Sequence, residues 1–241
     1  MNASVTKILI GAAAAVALVS PTLYAKDPAN GKIVVAQVAY KPPMRGAPAT
    51  RVGGGSRGAA SFALRLNVLA PNETGYTVKE KPTIYWYASE AINVPVELTV
   101  ISTASLEAAS HPLLDITLQP PIAKGVHALR LAEHGVSLKP DVEYQWFVAA
   151  VRNPQQRSND VLAGGTIKRV AESGALQSQL KQSGQAQWPA VYAEAGIWYD
   201  AIDQLSKQID ANRANRKLRE ERAALLEQVG LRDVAAYDRG S

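Results

Sequence analysis

Five consecutive residues, Gly54-Gly55-Ser56-Arg57-Gly58, spell the G-x-S-x-G string that carries the nucleophilic serine of many hydrolases. That chemistry needs a strand before the serine and a helix after it, so that the hydroxyl stands on a sharp turn near an imidazole. Here a glycine-rich loop precedes Ser56 and a β-prone run follows, so the string reads as a chance match. No Gly-Lys-Ser/Thr closes the glycines into a phosphate loop either. The chain is expected to be non-enzymatic, with no cofactor.

The same residues suit anion capture better. Successive glycines can aim several backbone N–H groups into one concavity, and Arg51 and Arg57 flank them with forked donors. Arg51, Gly53, Gly54, Gly55 and Arg57 are therefore candidates for holding a phosphate, a carboxylate or an acidic side chain of the protein itself. The alternative is a hinge or a close-packed turn. An internal carboxylate is at hand in Asn153-Pro154-Gln155-Gln156-Arg157-Ser158-Asn159-Asp160, on the connection between the last two expected strands. Asp160 is expected to help hold one of the arginines of the glycine run, and Arg157 and Asp160 join the candidate site.

A second candidate lies near the C-terminus. Between Arg213 and Arg222 five basic residues meet two acidic ones, which on a helix makes a solvated face or a surface for an acidic partner. Arg213, Arg216 and Arg219, with Trp198 and Tyr199, are the residues expected to meet a partner protein. His111, His127 and His134 have no metal-ligand spacing, and acidic residues do not group as calcium loops do. No basic run is interleaved with aromatic residues, so nucleic acid is not an expected partner.

Composition sets the frame for these sites. The chain has 241 residues, 26 Lys plus Arg against 21 Asp plus Glu, a formal charge of +5 and a pI near 9.4. A hydrophobic fraction of 47% with 20% charged residues describes a packed globule rather than a disordered chain. The absence of cysteine excludes disulfides, thiolate metal sites and a cysteine nucleophile. Met1 to Ala25 reads as a secretory signal: Lys7 precedes the apolar run Ile8 to Val19, Pro21 breaks it, and Ala25 supplies a small residue for cleavage. The run is too short for a membrane span of roughly 20 residues. A periplasmic or secreted product with no remaining transmembrane anchor is expected.

Residues 26–61 are rich in Gly, Pro and Ala and read as loop, apart from a possible strand between Ile33 and Tyr40. Residues 62–170 change to short β-prone runs between turn residues. Strands are expected at Phe62–Leu69, Thr83–Ala88, Val94–Ile101, Leu113–Leu118, Val126–Leu131, Val142–Val151 and Gly165–Val170. Seven strands without crossover helices predict an immunoglobulin/fibronectin-III-like antiparallel β-sandwich, with Trp86 and Trp146 in its core. Leu138, Pro140 and Tyr144 are placed as in the tyrosine corner of fibronectin type III modules, where the tyrosine hydroxyl returns to upstream backbone.

Residues 171–241 change to helical periodicity. Leu176 and Leu180, then Trp198, Ile202, Leu205 and Ile209, then Leu218, Leu225, Leu226 and Val229 mark apolar stripes. They predict three or four helices packed as hairpins. Ala190 to Ile202 resembles the helix–turn–helix centre of a tetratricopeptide repeat, with Ala201 at the helix contact. A single such unit cannot build a solenoid and must dock on the sandwich or on a partner. The fold class is thus α+β, a β-sandwich followed by a tetratricopeptide-like helical hairpin.

Several phrases together resemble one bacterial family. They are Pro43-Met44-Arg45-Gly46-Ala47-Pro48, Arg51 to Gly58, Lys81-Pro82-Thr83-Ile84-Tyr85-Trp86-Tyr87, Gln156 to Asp160, Gly165 to Val170, and Tyr192 to Ala201. The chain is similar along nearly its whole mature length to the domain of unknown function 928. The resemblance implies an exported protein and carries no catalytic residues to transfer. The leading expectation is an exported, non-enzymatic accessory or protein-interaction module of the bacterial envelope, with another envelope protein as partner. The alternative is a periplasmic binding protein that takes a small anion or acidic envelope polymer through the Gly/Arg loop.

Overall fold

The computed structural model describes residues 24–26, 33–35, 38–43, 51–55 and 64–241. Met1–Ala36 forms a unit by itself, in which β1 (Tyr24–Lys26) pairs antiparallel with β2 (Ile33–Val35). The apolar run of the expected signal lies outside the described residues. Gln37–Ser241 is the second compact unit.

In that unit short apolar runs divide between two sheets. One has the order β3-β4-β6-β9, from β3 (Gly54–Gly55), β4 (Arg65–Val68), β6 (Thr83–Ala88) and β9 (Gly125–Arg130). The other has the order β5-β11-β10-β7-β8, from β5 (Gly75–Thr77), β7 (Val96–Ser102), β8 (Leu114–Leu118), β10 (Glu143–Ala150) and β11 (Val161–Arg169). All pairs are antiparallel except β5 with β11. A five-residue helix, α1 (Leu106–Ser110), joins β7 to β8. Both sheets feed one hydrophobic core, with Leu66, Ile84 and Trp86 from the first and Leu98, Trp146 and Val148 from the second. Trp86 and Trp146 are both fully buried, as core positions.

Burial patterns explain what covers each strand. In β7, Val96, Leu98, Val100 and Ser102 are buried and alternate with half-exposed residues, the signature of a sheet with one covered face. In β6 all six residues are buried, so both faces are covered. The second cover is helical: α2 (Gly174–Gln182), α3 (Trp188–Glu194), α4 (Trp198–Ala211), α5 (Arg216–Gln228) and α6 (Arg232–Gly240). The Tyr85 hydroxyl donates to Asp203 of α4 at 3.1 Å, and the Tyr87 ring meets that of Tyr237 on α6 at 5.2 Å. The α4 stripe is buried as its spacing predicts, at Trp198, Ile202, Leu205 and Ile209. Pro189 sits in the first turn of α3, where its missing N–H costs nothing.

The corner predicted at Tyr144 forms. This buried hydroxyl accepts the backbone N–H of Lys139 at 3.0 Å. Gly196 joins α3 to α4 with φ +76°, and a Cβ there would stand 2.8 Å from the Lys41 carbonyl oxygen, so only glycine fits the turn.

Three features depart from the sequence reading. Strand β11 starts at Val161, before the expected Gly165, and its glycines allow close packing. A Cβ on Gly164 would strike the Phe147 ring at 2.5 Å, and one on Gly165 would strike Ala70 at 2.8 Å. Strands β3 and β5 are pairings of two and three residues that carry no periodicity of their own. The region after β11 holds five helices, because α6 extends the chain beyond Gly230. Leu231, Val234 and Ala235 carry its buried apolar face, and Asp238 one turn on is buried with them.

Candidate functional site

The described part of the glycine–arginine run, Arg51 to Gly55, is spent on the fold. The Arg51 guanidinium turns inward, and its Nη1 donates to the carbonyls of Ala70 at 2.8 Å and Val229 at 2.9 Å. It thereby clips the chain after β4 to the C-terminal end of α5, where helix carbonyls lack partners. Burial lowers its pKa, opposed by the charge of Glu73. Val52 exchanges two backbone hydrogen bonds with Gly164, and Gly54 and Gly55 lie extended opposite Leu66 and Arg65. An extended strand sends successive N–H groups to opposite sides, so Gly54 and Gly55 do not make the expected concavity. Gly53 is exposed beside them. Ser56 and Arg57 lie outside the described residues.

Asp160 does not hold Arg51. Its Oδ2 accepts Nε of the neighbouring Arg157 at 2.6 Å, and its Oδ1 accepts the N–H of Arg152 at 3.2 Å. The remaining fork of Arg157 is taken by both oxygens of Glu97, whose pKa falls through those hydrogen bonds. Arg157 and Asp160 of the turn between β10 and β11 and Glu97 of β7 thus satisfy one another.

Trp198 and Tyr199 do not form a partner surface. They are 0% and 2% exposed, wedged between α4 and the sheets. Trp198 Nε1 donates to the Leu69 carbonyl at 2.8 Å, and its ring meets the Tyr40 edge at 4.8 Å. The Tyr199 hydroxyl accepts from Trp146 Nε1 and donates to the Thr166 carbonyl, both at 3.0 Å. Each side chain pairs a large apolar body with one polar tip, and the sheet offers partners for both tips. The next residue, Asp200, accepts from the Thr77 hydroxyl at 2.7 Å and the Val78 N–H at 3.1 Å. Asp203 accepts from Lys79, Lys207 and Tyr85. This polar seam fastens the helices to the strands within the chain itself.

The basic residues of the helical region do gather. A cleft of about 470 Å³ opens between β9 and helices α4 to α6. Four arginines line it, Arg130 from β9, Arg213 from the α4–α5 turn, and Arg219 and Arg222 from α5, against Asp210 and Asp238. Arg222 is neutralised on the floor: Nε and Nη2 donate to the two oxygens of Asp238 at 2.7 and 2.6 Å, and Nη1 to the Ser206 hydroxyl at 2.9 Å. Arg219 donates to the Ser241 carbonyl at 2.9 Å and keeps further donors free for the cleft. Arg130 stands 3.7 Å from Glu133, and Arg213 has no hydrogen-bond or ion-pair partner among the described residues. His127 stacks on Trp86 at 4.5 Å with its Nε2 against the Ala123 carbonyl at 2.8 Å, and burial lowers its pKa. Burial thus favours the neutral ring, against the opposing pull of the Ala123 hydrogen bond, and the lasting positive charge of the cleft belongs to the arginines.

Arg216 lies in a shallower depression beside this cleft, which Arg219 also lines. Arg216 and Lys217 occupy the first turn of α5, at the positive end of the helix dipole, where cations are disfavoured. Asn215 caps that turn by accepting the N–H groups of Lys217 and Leu218. The sequence reading named Arg213, Arg216 and Arg219, and they are the members of its second candidate that do share a surface. It missed Arg130, which comes from a strand 83 positions upstream of Arg213 and is joined to it only by tertiary packing.

A family model described as Domain of Unknown Function (DUF928) matches residues 52–238. The match spans both sheets of the second unit and the helices after β11 as far as Asp238 in α6. No curated protein matches the chain.

Proposed function

This chain belongs to the domain of unknown function 928 family, and we infer that it is an exported, non-enzymatic accessory module that docks an acidic partner of the bacterial envelope in its arginine cleft. The observation that carries this reading is the convergence of Arg130, Arg213 and Arg219 from separate elements on one concave surface, with Arg213 unpaired among the described residues. Uncompensated guanidinium groups in a concavity favour carboxylates and phosphates through forked hydrogen bonds. The reading moves the anion-binding role from the Gly/Arg loop to the helical side.

The scaffold is a fibronectin-III-like sandwich with a tetratricopeptide-like hairpin on its outer face. The strand orders β4-β6-β9 and β11-β10-β7-β8, together with the Tyr144 corner, support the first part. The close α3–α4 hairpin with fully buried Ala201 supports the second. Export rests on the charge and apolar pattern of residues 1–25. Periplasmic or secreted placement follows from it.

The test is calorimetric titration of polyglutamate into the native protein and into an Arg213→Glu/Arg216→Glu variant. Both arginines are exposed, so the variant keeps the fold. Binding that weakens with salt and is lost in the variant supports the cleft. Equal binding by both proteins refutes it.

A further inference from the structure

Strand β9 is the outermost strand of its sheet. It is paired with β6 on one side and with no strand on the other among the described residues. The Leu131 N–H donates to the Pro82 carbonyl at 3.1 Å. Since paired residues alternate along an antiparallel ladder, Leu129, His127 and Gly125 are the β9 residues that bond to β6. The backbone N–H and C=O groups of Val126 and Ala128 and the N–H of Arg130 therefore point away from the sheet, while the Arg130 carbonyl is taken by the helical turn Leu131–His134 that follows. An edge of this kind is a template for a further strand.

The free edge and the arginines coincide. Val126, Ala128 and Arg130 line the cleft together, and Ala128 and Arg130 are exposed. In register these three oppose Tyr87, Tyr85 and Thr83, so their side chains lie on the sheet face that carries the helices. A strand added beside β9 would present every second side chain to that same face, beneath Arg213 and Arg219.

We propose that the cleft receives an extended acidic peptide, which adds to β9 as a new edge strand and directs alternate carboxylates to the arginines. The proposal rests on the arginine-cleft reading above and adds the backbone of the partner to it. Main-chain hydrogen bonds supply affinity, and the pockets met by alternate side chains supply selectivity. Charge complementarity chooses an acidic segment, because Asp238 is already committed to Arg222 and leaves Asp210 beside Arg213, Arg219 and Arg130, of which Arg130 alone also meets Glu133, at 3.7 Å. Six residues of β9 give a docking length of about 20 Å. A polyanion without peptide groups meets the arginines alone.

The experiment measures binding of a fluorescent octapeptide of alternating Glu and Thr to the native protein. Its arms are the same octapeptide N-methylated at every peptide bond, an oligogalacturonate, and the protein variants Ala128→Pro and Arg213→Glu. Proline at 128 removes an outward N–H and leaves the bonds to β6 intact. The expected result is that the octapeptide binds, that N-methylation weakens it at least about tenfold, and that Ala128→Pro weakens it by a similar factor. Oligogalacturonate should bind equally to native protein and Ala128→Pro, and Arg213→Glu should weaken both ligands. An N-methylated peptide that binds as well as its parent overturns strand addition and leaves the arginine cleft standing. Binding of oligogalacturonate without the octapeptide does the same and assigns the cleft to carbohydrate. Indifference of every ligand to Arg213→Glu overturns the cleft itself. If Ala128→Pro fails to fold, the N-methylated peptide decides.

Discussion

The indole N–H of Trp146, in the middle of β10, ends on the hydroxyl of Tyr199, in the first turn of α4, at 3.0 Å. The same hydroxyl donates its own hydrogen bond to the Thr166 carbonyl of β11. A helix is thus anchored to two adjacent strands through one oxygen that no solvent reaches. Burial accordingly pushes the Tyr199 hydroxyl well above the ordinary tyrosine range.

Tyr199→Phe should be costly although it removes a single atom. It leaves the Trp146 N–H and the Thr166 carbonyl without their partner, and an unsatisfied buried polar group costs about 1–3 kcal/mol. Chemical denaturation should show a lower midpoint with an unchanged slope and one transition. A separate early transition, reporting release of the helices alone, would contradict the single joint unit.

Arg51→Met should destabilise the protein by about 1–3 kcal/mol, since two main-chain carbonyls lose their donor. Polyglutamate affinity should stay unchanged, because this guanidinium points into the molecule. A stable Arg51→Met protein that no longer binds anions would return the site to the glycine run.

Acid stability should trace to Asp203. Burial raises its pKa, but the hydrogen bonds from Lys207 and Lys79 outweigh burial and hold it below the ordinary carboxylate value. A folded value below the unfolded one gives stability that is full above about pH 4 and disappears as pH falls through the folded value. Asp200 acts in the opposite sense. Burial raises its pKa above the ordinary value, against the pull of Lys79, so its ionisation weakens the fold as pH rises. Asp203→Asn should lower stability at pH 7 by about 1–3 kcal/mol, because a buried carboxylate loses its charge-assisted hydrogen bonds from the partly exposed Lys79 and Lys207. Unfolding curves of the variant and the native protein should converge below pH 4. A gap that persists at pH 2 would show that Asp203 acts through packing rather than charge.

Arg157→Ala should change stability by about 1 kcal/mol or less, because the Arg157 side chain is half exposed and the buried Asp160 carboxylate is still held by the Arg152 N–H. Thermal denaturation checks it, and a loss of several degrees would assign the cluster a larger role.

Local signals were legible and tertiary ones were not. The β6 span, the α4 stripe and the Tyr144 corner are announced by neighbouring residues: a β-prone run between turn residues, helical spacing, and Pro140 ahead of Tyr144. The direction in which Arg51 points depends on Val229, 178 positions away, and nothing near Arg51 encodes it. Trp198 and Tyr199 look equally suited to a partner or to the protein's own sheets, and only the polar groups at Leu69, Trp146 and Thr166 decide between them. The cleft was half visible: charge density marked Arg213 to Arg219, while Arg130 and the free β9 edge arise from sheet order.

Amide chemical shifts of the native protein, followed by NMR as polyglutamate is added, locate the binding surface without any substitution. Shifts concentrated at Val126 to Arg130 and at Arg213 to Arg219 are predicted. Shifts concentrated at Gly53 to Gly55 and Arg157, with the β9 edge unmoved, would contradict the assignment of binding to the arginine cleft.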